Sequence, residues 1–332
     1  MSTSYKVGII GCGGIATAHA NAYKAIEATE IVAAVDPDPE RRLKFDETYN
    51  IVSLYESYTE MLQRHELDIV SICTWPPLHC EMTVAAAESG VKAILCEKPM
   101  ALNLGEADIM LEACEKAGTK LVIGHQHRFD PQSVAAADLL KGNAIGELRW
   151  IFGYCNSRDL LSNGTHVVDL MRYFVADNPV AWVMGQIDRP SDKVDYGHNV
   201  EHNAIGHWQF ENGVHAMIAQ GELAPSGYAF QLCGTAGLMS VNAPEGYKLQ
   251  VLTKNGELDV AIERANSHQA EIEALVAWLG GGAQHRAHGK SGRDTTEVLM
   301  AIMESSRLHR AVYLPLQTKP SPLELMIEAG QI

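Results

Sequence analysis

The sequence predicts an α/β chain in two parts. A doubly wound parallel sheet over residues 1–124 precedes an α+β domain over 125–332, built on a large, mostly antiparallel open sheet, whose C-terminal segment is free to pack back on the first part. Three observations predict it: a glycine-rich turn follows an apolar strand near the N-terminus, strand and helix patterns alternate through the first third, and strand patterns with tight turns dominate after Gly124.

The first strand, Lys6–Ile10, runs into Gly11-Cys12-Gly13-Gly14-Ile15-Ala16. Gly11 permits a tight turn, Gly13 lets the backbone approach a pyrophosphate, and Ala16 is small enough for the opening helix to pack against the strand. Gly14 and Ile15 start that helix, whose N–H groups and positive end suit phosphate. The next strand, Glu30–Val35, brings Asp36 to the position where a carboxylate accepts hydrogen bonds from an adenosine ribose, the arrangement for NAD. Arg41 and Arg42 follow closely enough to hold a 2′-phosphate, which keeps NADP open as a second cofactor. Strands at Asp68–Thr74, Val91–Cys96 and Lys120–Gly124 then alternate with helices at Leu78–Ser89 and Gly105–Ala117. Ligands of such sheets bind beyond the strands' C-terminal ends.

After Gly124 the strand patterns are Leu148–Cys155, Val180–Ile187, Ala204–Phe210, Val214–Gln220, Ala229–Cys233 and Lys248–Thr253, with hairpin turns at Asn212-Gly213 and Asn255-Gly256. Helices are expected at Gln132–Lys141, Thr165–Val175, Gln269–Leu279 and Thr295–Arg310, with Gly280-Gly281-Gly282 as a loop between the last two. So few helices leave one sheet face uncovered, which suits assembly into an oligomer.

Composition excludes several classes. A net charge of −15 argues against nucleic acid and anionic membrane surfaces, which demand concentrated positive charge. No apolar stretch reaches membrane-spanning length, and Met1-Ser2-Thr3-Ser4-Tyr5-Lys6 carries no signal-peptide pattern, so a cytoplasmic location is expected. The seven cysteines (12, 73, 80, 96, 114, 155, 233) show no paired zinc spacing and read as reduced thiols. His125 and His127 share a strand face without a Cys or carboxylate at ligand spacing, and no metal is expected.

Glu97-Lys98-Pro99 ends the Val91–Cys96 strand, and with the glycine turn it resembles the Gfo/Idh/MocA family of oxidoreductases. Gly124-His125-Gln126-His127-Arg128-Phe129-Asp130-Pro131 resembles that family's domain-crossing segment, and Gly164-Thr165-His166-Val167-Val168-Asp169-Leu170 its catalytic helix. Gly234-Thr235-Ala236-Gly237 and the region from Glu271 to Leu316 follow the same pattern. The resemblance implies a Rossmann domain, a substrate domain whose open sheet supports dimer or tetramer assembly, and hydride transfer at a ring hydroxyl of a sugar, cyclitol or related polyol.

Such chemistry needs a group that stabilises the reacting oxygen and a base for its proton. Lys98, at a strand's C-terminal end, and His166, whose imidazole titrates near working pH, are the candidates. An Asn163 cap would place His166 in the first helical turn, where the helix dipole favours the neutral base. Ser162 stands where the family often has Asp, four residues before the histidine, with Asp159 and Asp169 as alternatives for the missing charge. Around the cofactor the resemblance places Thr74, Trp75, His79, Glu97 and Lys98. Trp75 is read either as a wall for a sugar face or as packing at the strand–helix corner. On the substrate side Arg128, Tyr154, Asn156, Arg158 and Asn163 join Lys98 and His166, Arg158 being suited to a carboxylate. Two rival readings stand beside the dehydrogenase: a glycosidase or lyase that retains NAD and oxidises its sugar transiently, and a noncatalytic dinucleotide sensor.

Overall fold

The structure, a computed structural model, describes residues 4–51, 53–156, 158–225, 227–242, 248–258 and 260–332, so Met1-Ser2-Thr3 lies outside the described residues. The first third alternates β1 (Tyr5–Ile10), α1 (Gly14–Ala25), β2 (Thr29–Val35), α2 (Pro39–Tyr49), β3 (Ser53–Tyr55), α3 (Tyr58–Arg64), β4 (Ile69–Ile72), α4 (His79–Glu88), β5 (Ala93–Cys96), α5 (Leu104–Ala117) and β6 (Lys120–Ile123). There follow α6 (Pro131–Lys141), β7 (Leu148–Cys155), α7 (Thr165–Phe174), β8 (Val180–Asp188), the short pair β9 (Val194–Asp195) and β10 (His198–Asn199), β11 (Asn203–Phe210) and β12 (His215–Gly221). The chain ends with β13 (Tyr228–Gly234), β14 (Gly237–Asn242), β15 (Lys248–Thr253), β16 (Gly256–Leu258), α8 (Ser267–Leu279), α9 (Gly289–Leu308), β17 (Val312–Tyr313) and α10 (Pro322–Glu328).

Two compact units result: residues 1–126 with 266–293, and residues 127–265 with 294–332. The C-terminal domain is thus discontinuous, because the segment carrying α8 clusters with the first unit.

In the first unit six parallel strands lie in the order β3-β2-β1-β4-β5-β6. All four residues of both β4 and β5 are buried, as expected of a parallel sheet covered on both faces. Ile272 and Leu275 of α8 join Val7, Ile9, Ala16 and Tyr23 in one hydrophobic cluster. The strand order reverses beside β1 and β4, which is where Gly11 follows β1.

The second unit is built on a nine-stranded sheet, β16-β15-β14-β13-β7-β12-β11-β8-β17. Its neighbours pair antiparallel except β7 and β12, which run parallel. Asn212-Gly213 turns β11 into β12, with Gly213 at φ +85°.

Period-two alternation separates this sheet's faces. On β7, Ile151, Gly153 and Cys155 are buried and lie on the α7 side, for a Cβ at Gly153 would sit 2.4 Å from Met171 and 2.9 Å from Val167. A Cβ at Gly185 or Gly206 would likewise meet Ile302 of α9 at 2.7 Å. On the other face Phe152, Met184, Ile205 and Leu252 remain exposed. A polar ladder crosses that face. Trp182 donates its indole N–H to Gln209 Oε1 at 3.0 Å, Gln209 Nε2 lies 3.1 Å from His215 Nε2, and His215 Nδ1 lies 3.0 Å from His207 Nε2. Because an indole can only donate, Gln209 presents its amide N–H to His215, which is then left to donate through Nδ1 to His207. Trp150 stacks on both imidazoles.

The strands expected from sequence match the observed ones to within a residue or two at most ends. Helix α9 begins at Gly289 rather than Thr295. Its first turn contains Gly289 and Gly292, poor helix formers retained because a Cβ there would lie 2.9 Å from Leu121 and 2.4 Å from Ile123. No helix among the described residues is long and apolar enough to cross a membrane.

Candidate active site

The glycine turn meets the physical requirements of a dinucleotide cradle. Gly11 has φ +93°, its N–H donates to Val35 O at 2.7 Å, and a Cβ there would sit 2.7 Å from the Cys73 carbonyl oxygen. Gly13 caps α1 without a side-chain bond, and a Cβ at Gly13 or Gly14 would meet nothing within 4 Å. The helix N-terminus therefore opens onto free space, the geometry that accepts a phosphate. Ala16 is fully buried and Ile15 packs at the edge of the same cluster.

Asp36 closes the cradle. Its Oδ2 accepts from Cys12 N–H and its Oδ1 from Asp38 N–H, each at 2.9 Å, so the carboxylate ties the β2 end to the glycine turn. Arg42 donates to the Asp36 backbone oxygen, while Arg41 is exposed and 3.5 Å from Asp38. Burial first, then the Asp36 charge, push the Cys12 thiol up to about 12, so it stays protonated.

At the end of β5, Lys98 is half-buried and its N–H donates to Glu97 Oε2 at 3.2 Å. Glu97, expected at the cofactor, turns into the interior. It is 5% exposed and accepts from His19 Nε2 at 2.9 Å. Burial would raise this carboxyl, but the His19 hydrogen bond and charge, with Lys98, outweigh it and bring it to about 2. His19 continues to Ser71 at 3.3 Å, and Tyr23 meets Ser71 at 2.8 Å. A Cβ at Gly124 would lie 2.7 Å from Glu97 Oε1, so that glycine makes room for the carboxylate.

His79 also departs from expectation. It is fully buried, with Nδ1 2.8 Å from Pro99 O and Nε2 3.2 Å from Thr74 O, and burial lowers its pKa. A neutral ring has one N–H, so the shorter contact to Pro99 takes it. His79 thus pins the turn after β4 to the loop after β5. Thr74 lends Oγ1 to Met82, whereas Trp75 is 56% exposed, leaving the wall reading of that residue available.

In the second unit, residues 160–164 form a π-helical turn continuous with α7. Asp159, not Asn163, caps it, accepting from Ser162 N–H at 2.8 Å. Gly164 precedes α7 without a side-chain cap, and His166 is the second residue of α7, which the π-helical turn extends on its N-terminal side. His166 is 5% exposed, its ring 4.5 Å from that of His127. Neither alternative acid is unengaged: Asp169 accepts from Arg128 Nε at 2.7 Å and from Thr295 at 3.2 Å.

Three substrate-side expectations change. Arg128 is fully buried, paired to Asp169 and, through both terminal nitrogens, to Asp177 at 2.7 and 2.8 Å, which makes it an internal anchor. Tyr154 alternates with Gly153 and Cys155 and so lies on the sheet face away from α7. Arg158, at φ +57°, donates to Asp195 at 2.5 Å and lies over Tyr196, while Asn163 is half-buried and Asn156 accepts from Gly227 N–H.

Several residues escaped sequence reasoning. Glu201 is buried, accepts from Leu160 N–H at 2.6 Å, and is raised to about 7 by burial and by the Asp159 charge. His198 nearby is lowered by burial. His19 carried one usable signal: it shares the α1 face with Ala16, Ala20 and Tyr23, all buried.

Residues 5–125 match a family model described as "Oxidoreductase family, NAD-binding Rossmann fold", and residues 156–240 match the "GFO/IDH/MocA C-terminal domain". A D-apiose dehydrogenase from Paraburkholderia graminis is 26% identical over 99% of this chain and 94% of its own. An inositol 2-dehydrogenase from Paenarthrobacter aurescens is 25% identical, over 96% of this chain and 99% of its own. A crystal structure of an oxidoreductase from Agrobacterium radiobacter in complex with NAD+, L-tartaric acid and magnesium superposes with a TM-score of 0.83 at 22% identity, covering 94% of this chain and 98% of that one. The last likeness is one of fold.

Proposed function

The chain belongs to the Gfo/Idh/MocA family of NAD-binding oxidoreductases, and from that premise we propose that it interconverts a hydroxyl and a keto group on a sugar, cyclitol or related polyol. The observation that carries this reading is Lys98 at the C-terminal end of β5, in the same parallel sheet as the Gly11 turn, since ligands of such sheets bind at that end. NAD, when bound, supplies the hydride acceptor. Gly11, Gly13 and Gly14 hold its phosphates and Asp36 its ribose; the carboxylate opposes a 2′-phosphate, while exposed Arg41 leaves NADP a weaker alternative. Lys98 donates to the reacting oxygen and stabilises its developing charge. His166 takes the hydroxyl proton. The names of the dehydrogenase relatives support the substrate class.

The test is incubation with NAD or NADP and a panel of sugars, cyclitols, sugar acids and glycosides, followed by cofactor absorbance and mass spectrometry. Loss of two hydrogens from one compound, matched by NADH, supports the reading. Cleavage of a glycoside in excess of cofactor, with no NADH accumulating, replaces it with the retained-NAD glycosidase or lyase, a reading left open by Ser162 in place of the usual acid.

The protein further assembles, in this reading, as a homodimer or homotetramer through the uncovered face of the nine-stranded sheet. Exposed Phe152, Met184, Ile205 and Leu252 on that face support it. Light scattering measures the particle mass, and a monomer at micromolar concentration contradicts it. The seven free cysteines suit a reducing cytoplasm.

A further inference from the structure

Asp130 directly precedes Pro131 at the start of α6, where an aspartate ordinarily accepts from the first helical N–H groups. It makes no such capping bond. Oδ2 instead accepts from His127 Nδ1 at 2.6 Å, and Asp130 is only 6% exposed. The His127 ring meets that of His166 edge to face, centroids 4.5 Å apart and planes at 77°. Tyr228 lies 5.6 Å from His127, with its hydroxyl buried and without a hydrogen-bond partner among the described residues. A capping residue has been diverted to hold an imidazole, and that imidazole leans on the proposed base.

We infer that Asp130 and His127 form a positioning dyad for His166: His127 fixes the ring's orientation, and the Asp130 carboxylate supplies a negative charge one ring away. The inference rests on the reading of His166 as the base. When His166 accepts the substrate hydroxyl's proton, positive charge forms on its ring, and the Asp130 carboxylate offsets it with no further proton moving. Other groups around α7 do not replace that charge. Asp169, one turn on, is spent on buried Arg128. Asp159 lies against Glu201 and His198, and Cys155 of β7 is a buried thiol. Tyr228 of β13 stays neutral, because burial and then the Asp130 charge hold its ionisation well above the usual phenol range.

The test needs no substrate. Nuclear magnetic resonance titration of 15N-histidine-labelled protein reads the midpoints of His127 and His166 in the wild type, Asp130→Asn, Asp130→Glu and, as an exposed acid on the same helix, Asp138→Asn. The His166 midpoint falls by about half to one unit in Asp130→Asn, recovers in Asp130→Glu, and stays put in Asp138→Asn. Because positive charges on neighbouring rings disfavour each other, His166→Asn raises the His127 midpoint, which keeps the test alive if Asp130→Asn does not fold. A His166 midpoint unchanged in folded Asp130→Asn, or a His127 midpoint unmoved by His166→Asn, overturns the dyad. Failure of the underlying reading registers separately, as full turnover in His166→Ala whatever the titrations show.

Discussion

The six-stranded and nine-stranded sheets solve burial in opposite ways. The parallel sheet of the first unit has apolar residues on both faces and conceals its polar chemistry inside, in the Glu97–His19–Ser71–Tyr23 chain behind the strand ends. The mixed sheet buries only the face under α7 and α9, and carries its polar ladder, Trp182–Gln209–His215–His207, on the other. A buried charge must be matched in place, whereas a group on an open face can trade partners with water or another protein. Single substitutions should therefore be costly at the buried networks and mild on the open face.

The largest effect is expected at Arg128. Its removal leaves Asp169 uncompensated inside the second unit and Asp177 without its main partner, and Arg128→Ala should lose about 3–5 kcal/mol in urea unfolding. A loss below about 1 kcal/mol would return Arg128 to the substrate-side role expected from sequence.

Glu97 comes next. Its carboxyl is depressed from 4.5 to about 2, so its contribution is fully present above pH 4.5 and disappears as pH falls toward 2. Glu97→Gln should cost on the order of 3 kcal/mol at neutral pH, and the gap to wild type should close across that acid window. A gap independent of pH would mean that packing, not charge, is what the residue supplies.

Gly11→Ala places a Cβ 2.7 Å from Cys73 O at φ +93° and should cost about 2 kcal/mol, with NAD affinity measured by calorimetry largely lost. Retained affinity would remove the turn from the nucleotide site. On the open face, Met184→Lys with Ile205→Lys should leave the unfolding free energy within about 0.5 kcal/mol of wild type while reducing the particle mass in light scattering. A marked destabilisation would show that the chain itself covers this face.

Fold was far more legible than site, for a physical reason. Strand periodicity and turn chemistry are local, so Leu148–Cys155 and Lys248–Thr253 were read with the observed bounds. Where local propensity and packing disagree, as at Gly289 and Gly292 in α9, the sequence understated the helix. Site residues fail differently, because a motif gives positions but not directions. His79, Glu97 and Arg128 carry the right chemistry yet turn inward to partners distant in sequence: Pro99, His19, and Asp169 with Asp177. Tyr154 is placed by parity alone, one residue from the face that packs on α7. The Asp130–His127 pair was hidden because an aspartate before a helical proline reads first as a cap.

The account turns on Lys98 and His166 acting on a hydroxyl next to bound NAD. The direct measurement is steady-state NADH formation by wild type, Lys98→Met and His166→Ala on the polyol that reduces NAD in the panel, with NAD affinity measured alongside. Turnover should fall about 100-fold or more in each variant while NAD affinity stays within about threefold of wild type. Wild-type turnover in either variant would contradict the assignment of the reaction to these two residues.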